Sequence, residues 1–126
     1  MALACGLRQS ESLGLRWDDI DLAASTLRVQ RTLQRVDGAC QFFEPKTRRS
    51  RRTIAFPRPV VGALQQHRVR QSEERLRIGA SWQGEDWGDL VFTDELGRPL
   101  STYHIRRRFH QLLRMVGLPL MRYHDR

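Results

Sequence analysis

The feature that most constrains this fold is the dipeptide Asp37-Gly38. A tight two-residue turn needs positive φ at both positions, which Asp-Gly supplies at low cost, so the flanking segments must run antiparallel. Before it, residues 26–36, TLRVQRTLQRV, alternate apolar positions at 27, 29 and 33 with arginines between, which reads as one strand. After it, residues 40–43 resume extended structure until Glu44-Pro45 interrupts them. Pro45 has no N–H for a ladder, so residues 46–50 are expected to form a loop or hairpin tip. Arg52, Ile54 and Phe56 then alternate on a returning strand. The sum is a small antiparallel sheet of about three strands. Lys46 projects from its turn among Arg48, Arg49, Arg51 and Arg52.

A sheet this small must be covered by other elements. Leucines around Cys5-Gly6 suggest a helical segment that breaks at Gly6 and restarts near Arg8. Arg8 and Glu11 would share a face of it and can pair. Residues 17–22, WDDIDL, read as a short extended piece. Pro59 suits the first turn of a helix running to about Ile78, with Gly79 as its stop. Val60, Ala63, Leu64 and His67 form its inner face, His67 at the boundary. Residues 81–88 are loop, 90–93 a short apolar piece and 94–99 a turn. Ser101 or Thr102 caps a second helix whose apolar stripe is Ile105, Phe109, Leu112, Leu113 and Val116, stopped by Gly117. The expected class is α+β, a small antiparallel sheet packed with helices.

Hydrophobic content of 40% with 29% charged residues is ordinary for a globular chain of 126 residues. The apolar runs are too short to cross a bilayer and the first residues lack a signal peptide's pattern, so the expected location is the cytoplasm. A net charge of +8 points to a polyanion, most simply nucleic acid. Cys5 and Cys40 with four scattered histidines give no zinc spacing, so the cysteines are read as reduced thiols and no metal is expected.

Within that charge, Lys46 is the only lysine among 22 basic side chains. Arginine stays protonated at any biological pH, whereas a lysine amine can give up a proton and regain it. Drift in an arginine-biased chain would also leave a stray lysine. Likewise the arginines of the last helix, Arg106 and Arg107 among them, suit a solvated face as well as phosphate contact.

The order of motifs is specific: GLRQSESLGLRWDDIDL, a strand pair, EPKTRRSRRTIAFP, a helix, DLVFTDELGRPLS, an amphipathic helix, then RYHD. Taken together these resemble the catalytic domain of tyrosine recombinases, the phage-integrase family of site-specific DNA recombinases, along nearly the whole chain. The resemblance implies a tyrosine that attacks a DNA phosphate, leaving a 3′-phosphotyrosine and a free 5′-hydroxyl, without metal or cofactor. It implies double-stranded DNA as partner and further recombinase protomers, as a tetramer on DNA. Arg8 matches the first catalytic arginine, whose planar fork can hold two phosphate oxygens. Glu11 matches the acidic residue that supports it. Lys46 matches the hairpin lysine, expected to protonate the leaving 5′-oxygen. His124 matches the first residue of the H-x-x-R box. Arg48, Arg49, Arg51, Arg52, Arg106 and Arg107 are candidates for DNA contact.

The chain departs from the pattern at its end. No arginine stands three residues after His124, and Tyr103 and Tyr123 are not placed as the nucleophile. The expectation is a partial catalytic domain, without the N-terminal DNA-clamping domain or the nucleophile segment, that does not complete the reaction as given. The competing readings are a non-catalytic DNA-binding module and a basic RNA-binding module.

Overall fold

The computed structural model describes residues 7–44 and 51–115. Five short strands lie within them: β1 (Ile20–Asp21), β2 (Thr26–Val29), β3 (Thr32–Val36), β4 (Ala39–Phe43) and β5 (Arg52–Ala55). Asp37 and Gly38 take φ of 51° and 80°, both positive as the tight turn demands, and close β3 onto β4 with Val36 opposite Ala39.

The stretch 26–36 is two strands rather than one, and its halves join different sheets. β1, β2 and β5 form a three-stranded sheet in the order β1-β2-β5, while β3 and β4 form a separate pair. The break falls at Gln30 and Arg31, whose side chains turn to a buried carboxylate: Gln30 Nε2 donates to Asp19 Oδ1 at 2.9 Å and Arg31 Nη1 to Asp19 Oδ2 at 2.6 Å. Side-chain demand there overrides the alternation, which by itself cannot register an interruption. β5 pairs with β2, Val29 opposite Arg52, and not with β4; the loop or hairpin tip expected at residues 46–50 lies outside the described residues. The α+β class stands, with five strands in two sheets instead of about three in one.

Among the described residues three α-helices cover the sheets: α1 (Gln9–Leu13), α2 (Arg58–Ile78) and α3 (Thr102–Met115). α2 ends at Gly79, whose φ of 62° suits glycine. Its inner face is Val60, Ala63, Leu64 and His67, extended a turn further by Gln71. His67 is not a boundary residue. It is 7% exposed, with its ring near Trp17 and Phe92 at centroid distances of 6.0 and 5.4 Å, and Nε2 donates to the Val91 carbonyl at 2.5 Å. Gln71 accepts from Trp17 Nε1 at 2.7 Å and donates to Thr93 Oγ1 at 2.8 Å, so its burial leaves both ends of the amide bonded. These two side chains dock residues 90–93, which run through the core as an irregular segment. Burial holds the His67 imidazole below its ordinary pKa, and the charges of Arg108 and Arg70 push the same way against the Val91 bond.

Ser101 Oγ accepts the His104 N–H at 3.2 Å and so caps α3. Ile105, Phe109 and Leu112 then turn inward onto the common core of Leu7, Leu27, Leu33 and Val91. Gln9 Nε2 donates to the Thr102 carbonyl at 2.8 Å, tying α1 to the start of α3. No helix among the described residues is long and apolar enough to cross a membrane.

Candidate functional site

Arg8 caps α1, and its backbone is held from both sides. Its N–H donates to Glu11 Oε1 at 2.8 Å, while its carbonyl accepts the Ser12 N–H and the Ser12 hydroxyl, each at 3.0 Å. Ser12 is fully buried, so the cap is fastened inside the molecule. The Arg8 side chain nevertheless points to solvent. A fixed backbone and an exposed fork suit a phosphate-binding arginine.

Glu11 was expected to pair with the Arg8 side chain through helical spacing. Its carboxylate instead takes the Arg8 amide and a guanidinium from far along the chain. Arg52 Nη1 reaches Oε2 at 2.9 Å and Arg52 Nη2 reaches Oε1 at 3.0 Å, a two-pronged grip on a side chain only 2% exposed. Arg52, grouped by sequence with the DNA-contact arginines, therefore has its fork turned inward. Alternation along β5 contains the signal: Arg52 lies on the same face as Ile54 and Phe56, which is the core face.

The remaining candidates divide cleanly. Arg51 is exposed and pairs at 3.2 Å with exposed Glu44, across the two ends of the 45–50 connection. Arg106 and Arg107 are exposed on α3, with Arg107 lying 5.9 Å over the ring of Tyr103, itself a surface aromatic. Lys46, Arg48, Arg49 and His124 lie outside the described residues, as do Cys5, Tyr123 and Arg126. Arg28 was not among the sequence candidates. Exposed on β2 opposite Thr53, it lines a cleft of about 180 Å³ together with Gln30, Arg51 and Arg52. Its signal was its outward place between Leu27 and Val29.

Eight residues after Arg8 the same local arrangement recurs. Asp19, third in the 3-10 turn Trp17–Asp19, accepts the Arg16 N–H on Oδ2 at 2.9 Å and is gripped by Arg31. Here the first arginine folds inward. The Arg16 guanidinium lies over the Phe42 ring at 4.7 Å, its Nε is buried without a partner, and a Cβ on Gly88 would fall 2.4 Å from that Nε. Burial, then the charge of Arg31, lowers its pKa.

Among the described residues no cluster of three or more His, Cys, Asp or Glu side chains could hold a metal ion. The profile of the phage integrase family matches residues 1–125. A tyrosine recombinase XerC-like protein from Caldanaerobacter subterraneus subsp. tengcongensis is 35% identical over 133 aligned positions, covering 98% of this chain and 34% of the relative. An integrase from Streptomyces ambofaciens is 37% identical over 123 positions, covering 90% of this chain and 29% of that protein. The chain thus spans about a third of the length of these relatives. In fold it is similar to the Tn1549 transposon integrase solved with transposon right-end DNA, at a TM-score of 0.61 and 20% identity over 91% of this chain and 44% of the other.

Proposed function

The chain belongs to the phage integrase family, and from that premise we propose that it is the core of a recombinase catalytic domain that binds double-stranded DNA and offers Arg8 to the scissile phosphate. The observation that supports this reading best is the Arg8 cap: a solvent-facing guanidinium on a backbone pinned by buried Glu11 and Ser12. A phosphate undergoing attack gains negative charge on its non-bridging oxygens. A fork held in place before the reaction stabilises that charge without having to reorganise.

In this reading Glu11 supports Arg8. Lys46 supplies the proton that the departing 5′-oxygen needs when the tyrosine oxygen takes its place on phosphorus. His124 hydrogen-bonds or exchanges a proton with the phosphate. Arg28, Arg48, Arg49, Arg51, Arg106 and Arg107 hold DNA backbone around the reacting position, and Arg52 does not. The protein acts in the cytoplasm, where its DNA is, and assembles with further protomers on it.

The test is duplex binding by this chain across a salt series. Each phosphate neutralised contributes a slope of about −0.9 in log K against log salt, so several contacts give a steep fall. Binding indifferent to salt would remove the basic surface from the account. In a version extended by the family's tyrosine-bearing segment, Lys46→Arg is expected to slow strand cleavage although the charge is kept. Cleavage at the unaltered rate would take the proton-donor role from Lys46.

A further inference from the structure

We infer that Arg52 is a positioning residue for Arg8, acting through Glu11 rather than on DNA; this rests on the reading of Arg8 as the phosphate-binding arginine. Glu11 Oε1 receives two bonds at once, the Arg8 amide at 2.8 Å and Arg52 Nη2 at 3.0 Å, while Oε2 receives Arg52 Nη1 at 2.9 Å. One carboxylate thus joins the first residue of β5 to the backbone of a residue more than 40 positions earlier. At 2% exposure the Glu11 side chain has little access to water. A buried carboxylate that loses its cation is left uncompensated and turns away toward water. That movement withdraws the acceptor that holds the Arg8 amide.

The grip depends on a guanidinium. Two N–H groups at fixed separation match two carboxylate oxygens, whereas a lysine ammonium is a point charge that meets one oxygen at a time. Arg52 is also placed to transmit a constraint, because it is held in register by β2 opposite Val29 and begins the strand that follows the 45–50 connection. Its neighbour supplies the contrast: Arg51 has the same charge, pairs with an exposed carboxylate and has no contact with Glu11 recorded among the described residues. Loss of Arg51 removes charge alone. Loss of Arg52 removes charge and the cap's anchor.

The experiment uses this chain in two arms, with Arg52→Met, Arg52→Lys, Arg8→Ala, Arg51→Met and the combination Arg8→Ala/Arg52→Met. Without DNA, hydrogen exchange at the Arg8 amide is expected to quicken about tenfold or more in Arg52→Met and Arg52→Lys, and not in Arg51→Met, since a charged hydrogen bond is released. Unchanged exchange at Arg8 in a folded Arg52→Met overturns the inference. With a short duplex, Arg52→Met and Arg8→Ala are each expected to weaken binding about tenfold, and the combination by no more than the larger single loss, because coupled residues do not add. Additive losses make Arg52 an independent phosphate contact and overturn the inference. If Arg52→Met does not fold, Arg52→Lys, which keeps a cation beside Glu11 but loses the two-pronged grip, carries the same exchange measurement, and unchanged exchange at Arg8 there overturns the inference. A wild-type chain that does not bind duplex while the exchange arm behaves as stated sinks the DNA reading and leaves the Arg52 tie standing.

Discussion

Two junctions eight residues apart share one local plan and use their arginines in opposite ways. At Arg8 and at Arg16 the residue caps a short helical turn, its N–H bonds the acid three positions later, and a distant arginine grips that acid, Arg52 of β5 in one case and Arg31 between β2 and β3 in the other. Arg8 then extends into solvent, whereas Arg16 lies across Phe42 and over Gly88. The R-x-x-acid pattern therefore dictates the cap and says nothing about the guanidinium. What decides is the wall beside it. Gly88, with φ of 78°, lets the backbone come close enough to trap Arg16. One guanidinium is left exposed and the other becomes packing.

The comparison can be broken first at the carboxylates. Asp19→Ala strips partners from Arg31, Gln30 and the Arg16 amide, and should cost about 3 kcal/mol in urea unfolding. Duplex affinity per folded molecule should stay near that of the parent protein. A comparable loss of affinity would mean that the second junction also serves DNA. Gly88→Ala should cost about 2 kcal/mol, through its positive φ and the clash with Arg16, again read by urea midpoint. An unaltered midpoint would show that Arg16 is not trapped there.

The arginines themselves should give crossed outcomes. Arg16→Ala is expected to destabilise by about 1–2 kcal/mol through lost packing and to change binding little. Arg8→Ala should leave stability within about 0.5 kcal/mol and weaken duplex binding about tenfold. Equal effects of the two substitutions on both measurements would erase the distinction.

His67 offers a smaller effect remote from either cap. Its folded pKa lies below its unfolded value of about 6.5, so the unfolded chain takes up the proton first as pH falls. Its contribution to stability is complete above that unfolded value and declines below it. Moving from pH 7.5 to 5.5 should lower stability by at most about 1.4 kcal/mol from this group, and His67→Gln should flatten that step. A step that persists in the variant places the proton elsewhere.

Much of the fold could be read from local pattern. The Asp37-Gly38 turn, the long helix stopped at Gly79 and the Ser101-capped helix each depend on neighbouring residues, so sequence alone located them. The family followed from motif order in the same way. What escaped were side chains whose partners lie far along the chain. His67 looked like a boundary position and Gln71 did not stand out at all, yet residues 90–93 pack against both. The split at Gln30-Arg31 existed only because Asp19 was waiting for both.

By itself the sequence determined which short segments turn, coil and cap, and that the surface is rich in fixed positive charge, because those properties need only near neighbours. Only the tertiary structure decided which arginine is spent on a carboxylate and which faces outward. Arg51 and Arg52 are chemically identical and adjacent, and β2 pairing turns one to solvent and the other onto buried Glu11. A side chain's task depends on what a distant segment places within about 3 Å of it, and that is a property of the assembled fold.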